Sequence, residues 1–389
     1  MENKLFYVDS SIGLRRSYDD LLQDAALITQ IPNAYWSKNI YDLLTVLVAA
    51  ICNDASLALT PNDSMEIQGV QRISSSSITG LSKLQSKITN SCCRLGVFTS
   101  GSTGRPKLIE HSIETLTRFV RRSDKHRDDI WGLVYHPSSF AGLQVFFQAI
   151  FNGNPLVRLL GLDAPSIHHA IECQGVTHIS STPTMMRLLC SDEVVHRRVR
   201  YITTGGEITE RSLISRVQLT FPNARFRNIY ASTESGSLLI SDDDLFRVPD
   251  HLTDRIKVLD GQLAVHRSLL AESLRTDDQL DFFLTGDCVE VLSNEPLVLR
   301  FIARRDDWIN VGGFKMNPKE IEIELLEIDG IAEARVFGRK NPVTGNIVCC
   351  EIVLAPGMQV TPAMIRKQLQ GRLPSYKIPR VIDFLNRSV

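Results

Sequence analysis

Between residues 95 and 231 the chain alternates short β-rich runs with segments of helical periodicity, and this constrains the fold more than any other feature. LGVFTS (Leu95–Ser100) reads as a strand and IETLTRFVRR (Ile113–Arg122) as a helix. DIWGLVY (Asp129–Tyr135) is a strand, LQVFFQAIFNG a helix closed by Gly153, PLVRLL a strand, and SIHHAIECQG a helix closed by Gly175. The strands VTHISS, VRYITTGG and FRNIYA follow, separated by the helical segments TPTMMRLLC and ERSLISRVQLTF. Strands separated by helices of about ten residues indicate βαβ units and a mainly parallel sheet with helices on its faces. The reading is an α/β fold.

After Glu234 the pattern changes. IKVLDGQLAVH, FFLTGDCVEVL and EPLVLRFIA look like hairpin strands, with turns at Asp260–Gly261 and Asn294–Glu295. Beyond Arg304 a small α+β module begins, with a helix from Pro318 to Ile328, two strands and a helix in TPAMIRKQLQGRL. The expected division is a large domain over 1–303, with mainly parallel sheets and a β-rich subdomain, and a small domain over 304–389.

Composition excludes several classes. Forty-three basic against 44 acidic residues give a net charge of −1, so no global field holds a polyanion; nucleic acid and membrane surfaces are not expected partners. The longest apolar stretch, Leu43–Cys52, is too short to span a bilayer, which takes about 20 residues. Asp9 falls where a signal peptide would need its apolar segment, so the expected location is cytoplasmic. None of the eight cysteines forms a CxxC pair, and the nine histidines form no HExxH, so no structural metal is expected from spacing.

The strongest local signal is Thr99-Ser100-Gly101-Ser102-Thr103-Gly104-Arg105-Pro106-Lys107. Glycines and hydroxyl residues after a strand form a loop whose backbone N–H groups can surround phosphate oxygens, and Lys107 adds a point charge. It is not a Walker loop, because Pro106 precedes the lysine and Leu108 follows it.

This loop resembles the phosphate loop of the acyl-adenylate-forming superfamily, which contains acyl- and aryl-CoA ligases, peptide-synthetase adenylation domains and luciferases. Four more segments match in the family's order. Asn228-Ile229-Tyr230-Ala231-Ser232-Thr233-Glu234 is similar to NxYGxTE, and Thr285-Gly286-Asp287 to TGD. Arg304 to Lys315 followed by Glu320-Ile321-Glu322 is similar to GRxDDxIKxxGxR…EIE, and Pro374-Ser375-Tyr376-Lys377-Ile378-Pro379 to PxYxxP.

The resemblance implies a two-step reaction needing ATP, Mg2+ and coenzyme A or a carrier-protein phosphopantetheine. A carboxylate attacks the α-phosphorus, pyrophosphate leaves, and a thiol then displaces AMP. Thr99, Ser100, Gly101, Ser102, Thr103, Gly104 and Lys107 would hold the β- and γ-phosphates. Thr233 would meet the α-phosphate and Glu234 would hold Mg2+. Tyr230 would stack on adenine, Asn228 would bond its edge, and Asp287, assisted by Arg304, would take the ribose hydroxyls. The acyl pocket would be lined by Tyr135, Phe140, Gly142, Thr204, Gly205 and Gly206, with His136 as its gate. Asp306 would be the hinge of a mobile small domain, and Gly312 and Gly313 would line the pantetheine tunnel. Amino-acid-activating members carry an aspartate in the segment Trp131–Leu143; none occurs here, which favours an aryl or acyl acid without an α-amino group.

The sequence departs from the family at Ala231, Asn310 and Lys315, and the phosphate loop comes early, implying a compact N-terminal subdomain. The lysine that in relatives bridges carboxylate and α-phosphate has no counterpart up to Val389. The alternatives implied are an adenylation-impaired partner of a carrier protein and a thioesterification-only enzyme.

Overall fold

The computed structural model describes residues 4–62, 68–73, 78–99, 106–191, 193–275, 281–305, 308–311, 314–341, 345–355 and 357–385. By contacts the chain forms two compact units: Met1–Lys257, Ala264–Phe283 and Val291–Arg300 make the first, and Val258–Leu263, Leu284–Glu290 and Phe301–Val389 the second.

An eight-stranded sheet organises the first unit, in the order Gly236–Ser241, Arg225–Ser232, Tyr201–Gly205, His178–Ser181, Trp131–Leu133, Leu156–Arg158, Leu5–Asp9 and Leu14–Ser17. The six inner strands are mutually parallel, and only the two outermost pair antiparallel. The alternating pattern therefore became a parallel sheet, because each crossover helix buries one face on it. Gly153 and Gly175 end their helices in the left-handed conformation, both at φ 65°.

A second sheet carries Ala34–Tyr35, Leu57–Leu59, Arg94–Thr99 and Lys107–Ser112. The apolar run at Leu43–Cys52 lies in the helix Ile40–Cys52, which is buried on nearly every side in one core with the helix Phe140–Asn152. A helix buried all round has no polar face to display, which accounts for its sequence.

The helix expected over Ile113–Arg122 is shorter, Ile113–Thr117. Side chains of the neighbouring helix replace its next backbone bonds: the Arg121 N–H donates to Gln148 Oε1 at 3.0 Å, while Gln148 Nε2 and Asn152 Nδ2 donate to the Arg121 carbonyl at 2.8 Å each. With both groups satisfied from outside, further helical turns gain nothing.

Five strands, Phe246–Arg247, Leu297–Arg304, Phe282–Asn294, Gln262–His266 and Ile256–Leu259, form a mainly hairpin-connected sheet. Asp260 and Gly261 both have positive φ, 51° and 71°, as a two-residue hairpin turn of type I′ requires. In the second unit the strands Ile331–Asn341, Gly345–Leu354 and Val381–Phe384 pack with the helices Pro318–Leu326 and Pro362–Leu369 around a separate core.

Candidate nucleotide and acyl site

In the first unit, the strand Arg94–Thr99 runs antiparallel to Lys107–Ser112, with Thr99 opposite Lys107. That pair closes the loop between them; Ser100, Gly101, Ser102, Thr103 and Gly104 lie outside the described residues. Lys107 is exposed, and the Thr99 hydroxyl lies 3.5 Å from its carbonyl oxygen.

Thr233 and Glu234 sit at the tip of a hairpin turn between Arg225–Ser232 and Gly236–Ser241, not at a helix N-terminus. Ser232 faces Gly236 across the turn, the Ser235 N–H donates to Ser232 Oγ at 3.1 Å, and the Glu234 carbonyl accepts from the Ala271 N–H at 2.7 Å. The register slips between Tyr230 and Ala231, an irregularity that redirects the side chains leading into the turn. The Glu234 carboxylate is half-buried and accepts no hydrogen bond among the described residues.

Asn228 is buried, and a relay of hydroxyls fixes its amide. Thr209 Oγ1 donates to Asn228 Oδ1 at 3.2 Å, so its single proton is committed, and the 3.0 Å contact with Thr204 Oγ1 must be a bond donated by Thr204. Asn228 Nδ2 in turn donates to the Asp243 carbonyl at 3.0 Å. The other amide hydrogen of Asn228 has no hydrogen-bond partner among the described residues. Tyr230, two residues on, is half-buried.

Gly205 and Gly142 are close-approach positions. A Cβ on Gly205 would stand 2.9 Å from the Ile229 carbonyl oxygen of the adjacent strand. On Gly142 it would stand 2.2 Å from the His136 carbonyl oxygen. That carbonyl also accepts from Ser139 N and Oγ, at 2.9 and 2.8 Å, while Ser139 Oγ caps the helix Phe140–Asn152 through the Gly142 N–H. Gly206 has φ 82° with nothing near its missing side chain.

His136 is held in one tautomer. The Ser138 N–H donates to Nδ1 at 3.2 Å, so Nδ1 is the lone pair and Nε2–H donates to the Ser37 carbonyl at 3.3 Å. The ring stacks on Trp36 with centroids 6.2 Å apart, and burial lowers its pKa. Burial, reinforced by Glu207, pushes the Tyr135 hydroxyl pKa up, while Glu207 itself accepts from Thr184 N and Oγ1 at 3.0 and 2.6 Å.

Sequence reading missed His111, Trp36, Ser37 and Thr209. His111 is fully buried with its ring 5.4 Å from that of Phe140, and burial brings its pKa down to about 4. Its only advance signal is proximity to Pro106-Lys107. Trp36 and Ser37 come from a segment with no motif.

In the second unit, Gly286 has φ 79° and Asp287 is buried. Thr285 Oγ1 donates to the Leu263 carbonyl at 3.0 Å and accepts from the Asp287 N–H at 3.1 Å. Arg304 Nε donates to Asp287 Oδ1 at 3.0 Å. The EIE and PxYK segments meet: Lys377 Nζ donates to both Glu320 carboxylate oxygens at 2.6 Å, and buried Glu322 accepts from the Val336 N–H at 2.8 Å. Asp306, Gly312 and Gly313 lie outside the described residues.

Comparison with known proteins bears on the fold and the family. Bacitracin synthase 3 from Bacillus licheniformis is 26% identical over 321 residues, covering 73% of this chain and 5% of that protein. 4-hydroxybutyrate–CoA ligase 1 from Metallosphaera sedula is 26% identical over 342 residues, covering 75% of this chain and 58% of that one. The chain thus spans well under two thirds of these relatives' lengths. Among solved structures, ATP-bound MatB from Rhodopseudomonas palustris matches with TM-score 0.71 and 17% identity, over 98% of this chain and 92% of that one. The o-succinylbenzoate CoA synthetase MenE from Bacillus subtilis, in complex with its acyl-adenylate intermediate, matches with TM-score 0.69 and 17% identity, over 99% and 92%. Residues 320–388 match the AMP-binding enzyme C-terminal domain, and residues 60–260 match the AMP-binding enzyme family, to which this chain belongs.

Proposed function

We propose that the chain joins a carboxylic acid without an α-amino group, aryl or acyl, to the thiol of coenzyme A or of a carrier protein's phosphopantetheine, through an acyl-AMP. The observation that carries this reading is the gathering of Thr204, Gly205, Asn228, Tyr230, Thr233 and Glu234 at the carboxyl ends of adjacent sheet strands. In open α/β sheets, that is where ligands bind. The domains would divide near Arg304, and Asp306 would serve as the hinge.

In the first step a carboxylate oxygen of the acid bonds to the α-phosphorus, and the bond from that phosphorus to the bridging oxygen of pyrophosphate breaks. In the second a thiolate sulfur bonds to the acyl carbon, and AMP leaves with the electron pair of the acyl–oxygen bond. Catalysis of such transfers rests on positioning and on charge aimed at the transition state. Lys107 supplies a cation for the departing pyrophosphate. Thr233 donates toward the α-phosphate oxygens. Glu234, half-buried and accepting no bond among the described residues, fits a magnesium ion, whose preferred ligands are carboxylate and phosphate oxygens. When bound, that ion would neutralise phosphate charge. His136, fixed as the Nε2–H tautomer against Trp36, would stand beside the acid, while Gly312 and Gly313 would admit the pantetheine arm.

The absence of an aspartate from Trp131 to Leu143 supports an acid with no ammonium group to neutralise. The test is pyrophosphate exchange into ATP with a panel of aryl, acyl and amino acids. Exchange is expected with one of the first two classes, falling about 10²–10³-fold in Lys107→Ala and Glu234→Ala. Exchange driven by amino acids alone, or variants as active as wild type, would overturn the reading.

A further inference from the structure

A second polar cluster lies at the other end of the same strands. We propose that His126, Asp129 and His178 form a binding site for one divalent cation of the zinc class. Asp129 Oδ2 lies 2.8 Å from His126 Nδ1 and 3.2 Å from His178 Nε2. One ligand atom from each residue falls within 4.8 Å of the others, and among the described residues this is the group of three that converges so. Ligand atoms at zinc's bond length of about 2.0–2.1 Å stand about 3.3 Å apart in a tetrahedron, so binding the ion would adjust the three ligand atoms, which now lie within 4.8 Å of one another. Two imidazole nitrogens with one carboxylate oxygen select zinc-like ions over magnesium or calcium, which prefer oxygen alone.

The surroundings are built to hold these groups. Asp129 is 2% exposed and His178 is 4% exposed. The His178 ring is clasped between Trp131 and Tyr201, each with its centroid 4.8 Å away. Asp129 Oδ1 accepts from Arg200 at 2.8 Å, leaving Oδ2 to face the histidines. His126 is anchored through its carbonyl by Asn154 Nδ2 at 2.8 Å, and its half-exposed ring opens the site to solvent and to a water as fourth ligand.

The hydrogen-bond chain behind His178 allows the tautomer that a metal needs. Thr177 Oγ1 accepts from the Ile130 N–H at 2.8 Å and stands 3.2 Å from the Ile130 carbonyl and 2.8 Å from His178 Nδ1. A hydroxyl has one proton. When it bonds the Ile130 carbonyl, Nδ1 must be the donor to Thr177, and the Nε2 lone pair faces the Asp129 carboxylate. Two acceptors so placed are bridged by a proton or by a metal cation. A metal-bound histidine held by a bond from its other ring nitrogen is the usual arrangement. With the threonine proton on Nδ1 instead, Nε2–H donates to Asp129, and the cluster is a hydrogen-bonded knot with no ion. The spacing rules miss such a site because its ligands come from residues 126 and 129, in the turn before one strand, and 178, at the start of another.

The experiment titrates Zn2+ alone into the full chain, freed of metal with a chelator, and follows it by calorimetry and by the thermal midpoint. The variants are His126→Ala, His178→Phe, which keeps a ring between Trp131 and Tyr201, and Cys173→Ser, which removes an exposed thiol 3.4 Å from His169. One equivalent should bind with a micromolar or tighter Kd, and the midpoint should climb with the logarithm of free Zn2+. Affinity should fall at least tenfold in His126→Ala and stay unchanged in Cys173→Ser. Circular dichroism confirms the fold of each variant, and His126→Ala alone decides if His178→Phe does not fold. No saturable binding to wild type, equal binding by His126→Ala, or loss confined to Cys173→Ser would each overturn the site.

Discussion

The strand Tyr201–Gly205 starts at one end of the sheet and finishes at the other, and the two ends could hardly differ more. At its amino end Tyr201 stacks on His178, and Trp131, His126, Asp129 and Arg200 fill the space around it. At its carboxyl end the chain places Thr204, Gly205 and Gly206, then Asn228 on the neighbouring strand and the turn bearing Glu234. A parallel sheet offers backbone groups at both ends. Bulk and paired charge close one of them, and small side chains with spare donors leave the other open. The difference teaches that the glycines at the open end are there for space and approach, whereas the charged groups at the closed end are there to be bonded.

The hardest test of this contrast is Gly142→Ala. Its Cβ would meet the backbone of His136 at 2.2 Å, and a backbone carbonyl already bonded to Ser139 cannot swing away. A loss of about 3 kcal/mol or more is expected in urea denaturation, at the upper end of overpacking effects. Gly206→Ala, strained in φ yet free of contacts, should cost only about 1 kcal/mol. Equal costs for the two would show that close approach is not what Gly142 provides.

Next in size is the pH response of His111. Its folded pKa, about 4, lies below the unfolded value of 6.5, so in that window the unfolded chain binds more protons. Stability from this group is complete above pH 6.5, declines as pH falls through the window, and levels off below about 4. The expected decline is about 3 kcal/mol, since each tenfold difference in proton affinity between the two states is worth about 1.4 kcal/mol. Denaturation midpoints of wild type and His111→Phe across this range measure it. The variant should show the shallower profile, and parallel profiles would remove His111 as the cause.

Asp129→Asn probes the closed end. It weakens a buried carboxylate's bonds to His126, His178 and Arg200, and about 2 kcal/mol should be lost in metal-free protein. The KM for ATP in pyrophosphate exchange should not move. A raised KM would show that the two ends of the sheet are coupled.

The open end was more legible in sequence than the closed one, for a physical reason. The loop proposed to wrap phosphate and the turn proposed to present a carboxylate are each built from consecutive residues, so Thr99–Lys107 and Asn228–Glu234 stand out as strings. The alternation that foretold the sheet is likewise local. His126 and Asp129 are local neighbours, but His178 and Arg200 reach them only through the order of the strands, and no string contains all four. The same holds for Trp36 against His136, and for the Gln148 and Asn152 side chains that cut short the helix expected to reach Arg122.

The smallest effect on stability, and the sharpest separation of stability from binding, should come from Asp287 in the second unit. Its ion pair with Arg304 is 3.0 Å long, but the arginine side chain is 57% exposed, so solvent screens it and the pair contributes less than about 1 kcal/mol. A carboxylate that receives two ribose hydroxyls, by contrast, makes charge-assisted bonds worth about 1.5–3 kcal/mol. Asp287→Asn should lower the urea midpoint less than it weakens ATP binding, which should fall by about 10–100-fold in calorimetry. Arg304→Ala should alter both only slightly, because Thr285 already anchors the Asp287 backbone through its hydroxyl. If Asp287→Asn instead lowers stability and leaves ATP affinity intact, Asp287 belongs with Asp129 among the carboxylates that exist to be bonded, and the ribose must be held elsewhere.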